Sequence, residues 1–139
     1  MKSLVLALFL GIISLPICSA QQTLSASSSG SQGTPNIKFE ETVHQFGEIQ
    51  EGERAKHTFT FTNTGDAPLI IKNVQPSCGC TSPDWTRKPI QPGESGRVTA
   101  VYNSAGRPGK FHKSVTVRTN IEGKSIPLFI KGTVVRNSN

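Results

Sequence analysis

Residues 56–62 read Lys-His-Thr-Phe-Thr-Phe-Thr, an alternation that sets Phe59 and Phe61 on one side of an extended chain and Thr58, Thr60 and Thr62 on the other. A period of two marks a strand with one face in a core and the other in water. The spacing recurs. Residues 97–102 align Val98, Ala100 and Tyr102 after the turn Gln91-Pro92-Gly93-Glu94-Ser95-Gly96. Phe111, Val115 and Val117 share a parity that Lys113 interrupts, which predicts a bulge or a lysine snorkelling at the rim. Near the end, Ile126, Leu128, Ile130, Gly132 and Val134 fall on one face, with Pro127, Phe129, Lys131 and Thr133 on the other. Pro127 has no N–H to give to a ladder, so this last strand is expected at an edge.

Other segments are shorter or more continuously apolar. Residues 69–74 form an apolar run entered through Asn63-Thr64-Gly65-Asp66-Ala67-Pro68, where glycine and aspartate supply turn geometry. With the Phe59-Phe61 strand it predicts a hairpin or a crossing between sheets. Ile37-Lys38-Phe39 and His44-Gln45-Phe46-Gly47-Glu48-Ile49 read as short strands before the turn Glu51-Gly52-Glu53. No stretch carries a helical period. About seven short strands joined by turns predict an all-β fold, a sandwich of two antiparallel sheets.

The chain ahead of this pattern has a different character. Lys2 precedes an uncharged apolar run from Leu4 to Ile17, then Cys18-Ser19-Ala20, small residues of the kind a signal peptidase reads. A signal segment over residues 1–20, cleaved after Ala20, is expected, and with it export to the periplasm or beyond. The run is shorter than the roughly 20 apolar residues a membrane helix needs, so no span is expected in the mature chain. Lipoprotein processing at Cys18 is disfavoured, because Pro16-Ile17 precede the cysteine rather than a small residue. Residues 21–36 are uncharged and rich in Ser, Gln and Gly. They bury too little to offset ordering and predict a flexible linker. One domain over residues 37–135 and a short tail over 136–139 complete the division.

The formal net charge of +6 includes Lys2, so the processed chain carries one positive charge fewer. A basic surface favours anionic neighbours. Only Arg87-Lys88 are adjacent after the leader, and no aromatic residues interleave with a basic stripe, so nucleic acid is not an expected partner.

The succession Phe46-Gly47-x-Ile49-x-x-Gly52, Phe59-x-Phe61-x-Asn63-x-Gly65 and Leu69-x-Ile71-x-x-Val74 leads into Pro76-Ser77-Cys78-Gly79-Cys80-Thr81. Trp85, Ile90-x-Pro92-Gly93, Gly106-x-x-Gly109-x-Phe111 and Thr116-Val117-x-Thr119-Asn120 follow. Over nearly all of residues 37–135 this resembles the exported bacterial domain-of-unknown-function family 1573. The resemblance implies an immunoglobulin-like sandwich, similar in topology to major sperm protein and ASH modules. It implies no activity and carries over no catalytic residue.

Cys78 and Cys80 are the candidate site. Two residues apart on an extended chain their Cα atoms would stand about 6.6 Å apart, near the limit of disulfide geometry. Gly79 between them is expected to let the backbone shorten that distance. In an oxidising compartment a local disulfide is the favoured state; a bond to another chain, thiol exchange and Cu(I) ligation are the alternatives. The copper reading would recruit His44, His57 or His112 in space. Trp85 is a candidate support for the Cys-Gly-Cys corner. Glu40, Glu41, Glu48, Glu51 and Glu53 read as solvated loop carboxylates, and the three histidines as ordinary strand residues. Neither a catalytic set nor a cofactor is expected. The reading is a non-catalytic envelope interaction or structural module on a flexible stalk, with another envelope protein or an anionic surface polymer as partner. The alternative is a periplasmic thiol-redox or Cu(I)-binding protein using Cys78 and Cys80.

Overall fold

Phe59, Phe61, Leu69, Ile90, Val98, Ala100, Val117 and Leu128 are fully buried and face one another across two layers. These are the residues whose alternation predicts inward faces, and each large one contributes ~1.5–3 kcal/mol on burial. The computed structural model describes residues 33–136. The expected signal segment, Cys18 and residues 137–139 lie outside the described residues. Eight strands are present: β1 (Ile37–Phe39), β2 (Val43–Gln50), β3 (Arg54–Asn63), β4 (Ile71–Pro76), β5 (Thr81–Trp85), β6 (Ser95–Asn103), β7 (Gly109–Thr119) and β8 (Ser125–Val135). They form two four-stranded sheets, ordered β1-β3-β6-β5 and β2-β8-β7-β4. The all-β sandwich read from the sequence is therefore the fold. One strand beyond the expected seven is β5, whose Pro83 and Asp84 hide it from a propensity reading.

All pairings are antiparallel except β2 with β8, which is parallel. The reason lies in residues 40–42. The Glu40 N–H donates to the Thr60 carbonyl of β3, and the Thr42 carbonyl accepts from Phe129 of β8. The chain thus leaves one sheet after β1 and enters the other as β2. The apolar run at residues 69–74 likewise crosses between sheets rather than closing a hairpin, since β3 and β4 belong to different layers.

Pro127 corrects an expectation. β8 is an inner strand, between β2 and β7. Phe129 donates its N–H toward β2, so the missing N–H of Pro127, two residues earlier, falls on the same side. The β2 ladder begins only at Val43 opposite Phe129, and the proline sits beyond its reach. Lys113 is half-buried within an unbroken β7–β8 register, so the expected bulge is not formed against β8.

Two close approaches fix details. β2 gains one residue against β8 between Gln45 and Glu48, at Gly47 with φ 72°. Opposite it Gly132 leaves room: a Cβ there would meet the Phe111 ring at 2.7 Å and the Gly47 carbonyl oxygen at 2.9 Å. Phe111 in turn stacks on Tyr102, ring centroids 4.2 Å apart. Buried Asn63 ties the turn after β3 together. Its Nδ2 donates to the carbonyls of Ala67 (2.8 Å) and Ile90 (2.9 Å), and its Oδ1 accepts from the Gly65 N–H at 3.0 Å. The last four residues of the expected linker are held to this turn, with the Thr34 N–H donating to Asp66 Oδ1 at 2.6 Å.

Candidate functional site

β4 ends at Pro76 and the chain turns across the open side of the sandwich into β5. Cys78 and Cys80 lie on that turn, bonded to each other with Cα atoms 5.3 Å apart. The shortening comes from a turn closed by the Thr81 N–H and the Cys78 carbonyl at 3.3 Å. Gly79 does not occupy the left-handed region, and a Cβ there would meet nothing within 4 Å. The freedom expected of this glycine is therefore not what shapes the turn. Both flanks are clamped: the Ser77 N–H donates to the Ser114 carbonyl, and the Asn103 N–H to the Cys80 carbonyl. Cys78 is half-buried and Cys80 buried, each against the core. Thr81 Oγ1 stands 3.8 Å and 3.9 Å from the two sulfurs.

Trp85 is placed elsewhere. It ends β5 opposite Val98, about 13 Å of extended strand from Thr81. Its ring carries the Arg87 guanidinium at 3.5 Å, a cation–π contact on the partly solvated flank. The support it was expected to give the cysteine corner is replaced by packing against the core at the far end of the strand.

The histidines proposed as copper partners do not join the sulfurs in a ligand cluster. His112 is exposed on β7, its ring 5.1 Å from that of Phe129. His44 on β2 and His57 on β3 instead stack face to face, centroids 3.5 Å apart and planes 6° from parallel. Glu41, on the crossing between sheets, sets Oε1 2.6 Å from His57 Nε2 and 3.8 Å from His44 Nδ1. Phe46 and Phe59 press their edges on the two imidazoles. The carboxylate stands close to His57 Nε2 but out of line, leaving that buried nitrogen without a hydrogen bond. Burial pushes the His44 pKa below its ordinary value, the neighbouring His57 pushes it further, and Glu41 pulls the other way. Among the described residues this is the one grouping of three His, Cys, Asp or Glu side chains with donor atoms within 4.8 Å of one another. The sequence reading missed it, because the three belong to two sheets and a crossing, and no spacing along the chain announces that meeting.

Residues 37–134 match the family described as "Protein of unknown function (DUF1573)". The chain belongs to the DUF1573 family. No curated protein matches its sequence. Among solved structures, a protein of unknown function from Porphyromonas gingivalis W83 superposes with a TM-score of 0.63 at 18% identity, over 72% of this chain and 47% of that one. The DUF1573 chain thus spans about half of that relative's length. PapD-like domain 7 of human CEP192, an ASH / PapD-like domain, gives 0.57 at 10% identity over 73% and 87%. The VesB protease of Vibrio cholerae gives 0.54 at 17% identity, over 73% of this chain and 31% of that one. At such identities the likeness establishes the sandwich fold alone. No helix among the described residues is long and apolar enough to cross a membrane.

Proposed function

We propose that this DUF1573 chain is a non-catalytic interaction module of the cell envelope, docking an acidic extended segment or anionic polymer along the β4 edge. The observation that carries the reading is the condition of the four sheet edges. β1 has three residues, β2 is broken by the Gly47 bulge, and Pro83 sits in the middle of β5. Each is a known way of blunting an edge. β4 shifts register against β7 between Ile71 and Asn73, but from Asn73 to its terminal Pro76 it pairs without a break and keeps the outer rim of its sheet, with exposed Ile70 beside it. Next to it Lys72, Arg118 and Lys124, with Glu122 as the single acid, line a surface cleft of about 540 Å³. Main-chain pairing would give affinity there and the cations would select charge. A disulfide such as Cys78–Cys80 is at home in an oxidising compartment, which supports export and an envelope setting.

The test is capture from envelope extracts by immobilised full-length chain, compared with Ile70→Asp and a Lys72→Glu/Arg118→Glu pair. Salt-sensitive capture that both variants lose is expected. Capture indifferent to both, or dithiol exchange activity that Cys78→Ser abolishes, would displace this reading in favour of the thiol one.

A further inference from the structure

The edge docking surface leaves the opposite flank of the sandwich unexplained. There residues 40–42 step from one sheet to the other, and Glu41, His44 and His57 converge. We propose that these three side chains bind a divalent transition-metal ion of the Zn²⁺ type, which clasps the two sheets at the crossing.

The donor set carries the choice of metal. Two imidazoles and one carboxylate, with no thiolate, suit borderline divalent ions rather than soft Cu(I) or oxygen-loving Ca²⁺. Three protein ligands with a water as the fourth make an ordinary open tetrahedral site. The donor atoms already lie within 4.8 Å of one another, whereas tetrahedral ligands about 2 Å from zinc stand about 3.3 Å apart. A metal lies in the plane of each imidazole that binds it, so the parallel rings must splay by a side-chain rotation to share one ion. His57 Nε2 points the same way: it is buried, and its 2.6 Å approach to Glu41 Oε1 is out of line for a hydrogen bond, a condition that a coordinate bond relieves. Backbone hydrogen bonds from Glu40 to Thr60 and from Phe129 to Thr42 hold the crossing at both ends. The ligands are thus borne on anchored chain.

The experiment titrates purified full-length chain with Zn²⁺ by calorimetry and with Co²⁺ by absorption. One equivalent bound, Co²⁺ d–d bands without a thiolate charge-transfer band, and a thermal midpoint that climbs with Zn²⁺ concentration are expected. His44→Gln, His57→Gln and Glu41→Gln should each weaken binding at least about tenfold, since even groups behind the ligands are worth ~10–100-fold. His112→Gln and Cys78→Ser/Cys80→Ser should bind as the parent does. Glu41 is exposed, so Glu41→Gln keeps the test sound should His57→Gln fail to fold. Absence of saturable one-equivalent binding, binding that survives His44→Gln/His57→Gln, or binding lost with the cysteines would overturn the proposal. In the first case the trio is a stacked histidine pair beside a carboxylate and nothing more.

Discussion

Asn63 is a residue whose side chain does the work of a backbone. Its fully buried amide satisfies two carbonyls and an N–H, and the Ile90 carbonyl among them is buried too, so losing these bonds leaves polar groups that water reaches poorly or not at all. Each such group costs about 1–3 kcal/mol. Asn63→Ala should therefore lower urea stability by at least about 2 kcal/mol. Asn63→Asp should not restore it, because a carboxylate would face the same two carbonyls with no donor. The sequence marked this position as part of a turn and of a family motif, but its partners Ala67 and Ile90 could be named only from coordinates. Tyr102, the single tyrosine, offers a direct readout at the same scale. Burial raises its pKa above the ordinary value, with Arg107 opposing. A group raised on folding contributes stability that is complete below its unfolded pKa of about 10 and is lost as pH climbs through the folded value. Tyrosinate absorbance should accordingly show a midpoint above about 10 in the folded chain, falling to about 10 in denaturant. Tyr102→Phe should blunt the alkaline loss of stability.

Strands carry their constraints in pairs. The β2 bulge at Gly47, the bare Cα of Gly132 and the Phe111 ring fill one space between them. Gly132→Val should cost about 1–3 kcal/mol or more by overpacking, read as a lowered thermal midpoint. Gly79→Ala, with nothing near its Cβ, should stay within about 0.5 kcal/mol of the parent. From sequence the two glycines invite the opposite ranking, since Gly79 sits between cysteines and Gly132 interrupts a strand. Alternation itself was readable at this scale: Phe59, Phe61, Val98, Ala100, Val117 and Leu128 all point inward as their parity predicts. Pro127 was misread as an edge marker because a proline reports a free N–H side, and an inner strand has one wherever its neighbour stops short.

For the whole molecule, the sulfurs matter less to stability than their place in the sequence suggests. The Cys78–Cys80 bond closes a ring two residues apart, and the chain-entropy relation for so small a loop gives only about 1.6 kcal/mol. Cys78→Ser/Cys80→Ser should thus remain folded, with an unfolding free energy in urea lowered by about that amount. Collapse on reduction would show that the buried apolar core is not what sustains the sandwich. The core joins both sheets without a covalent tie between them, as the lack of a cysteine on the β3 or β7 strands already required.

Period-two burial, turn chemistry and the family motifs determined the all-β sandwich, because each acts between residues close in sequence. Tertiary structure alone decided that the first strand changes sheets, that β2 runs parallel to β8, and that Trp85 stands away from the cysteines. It also decided that Glu41, His44 and His57 share one corner. Those facts depend on which strand edges meet, and two residues brought together across layers leave no period along the chain by which to find them.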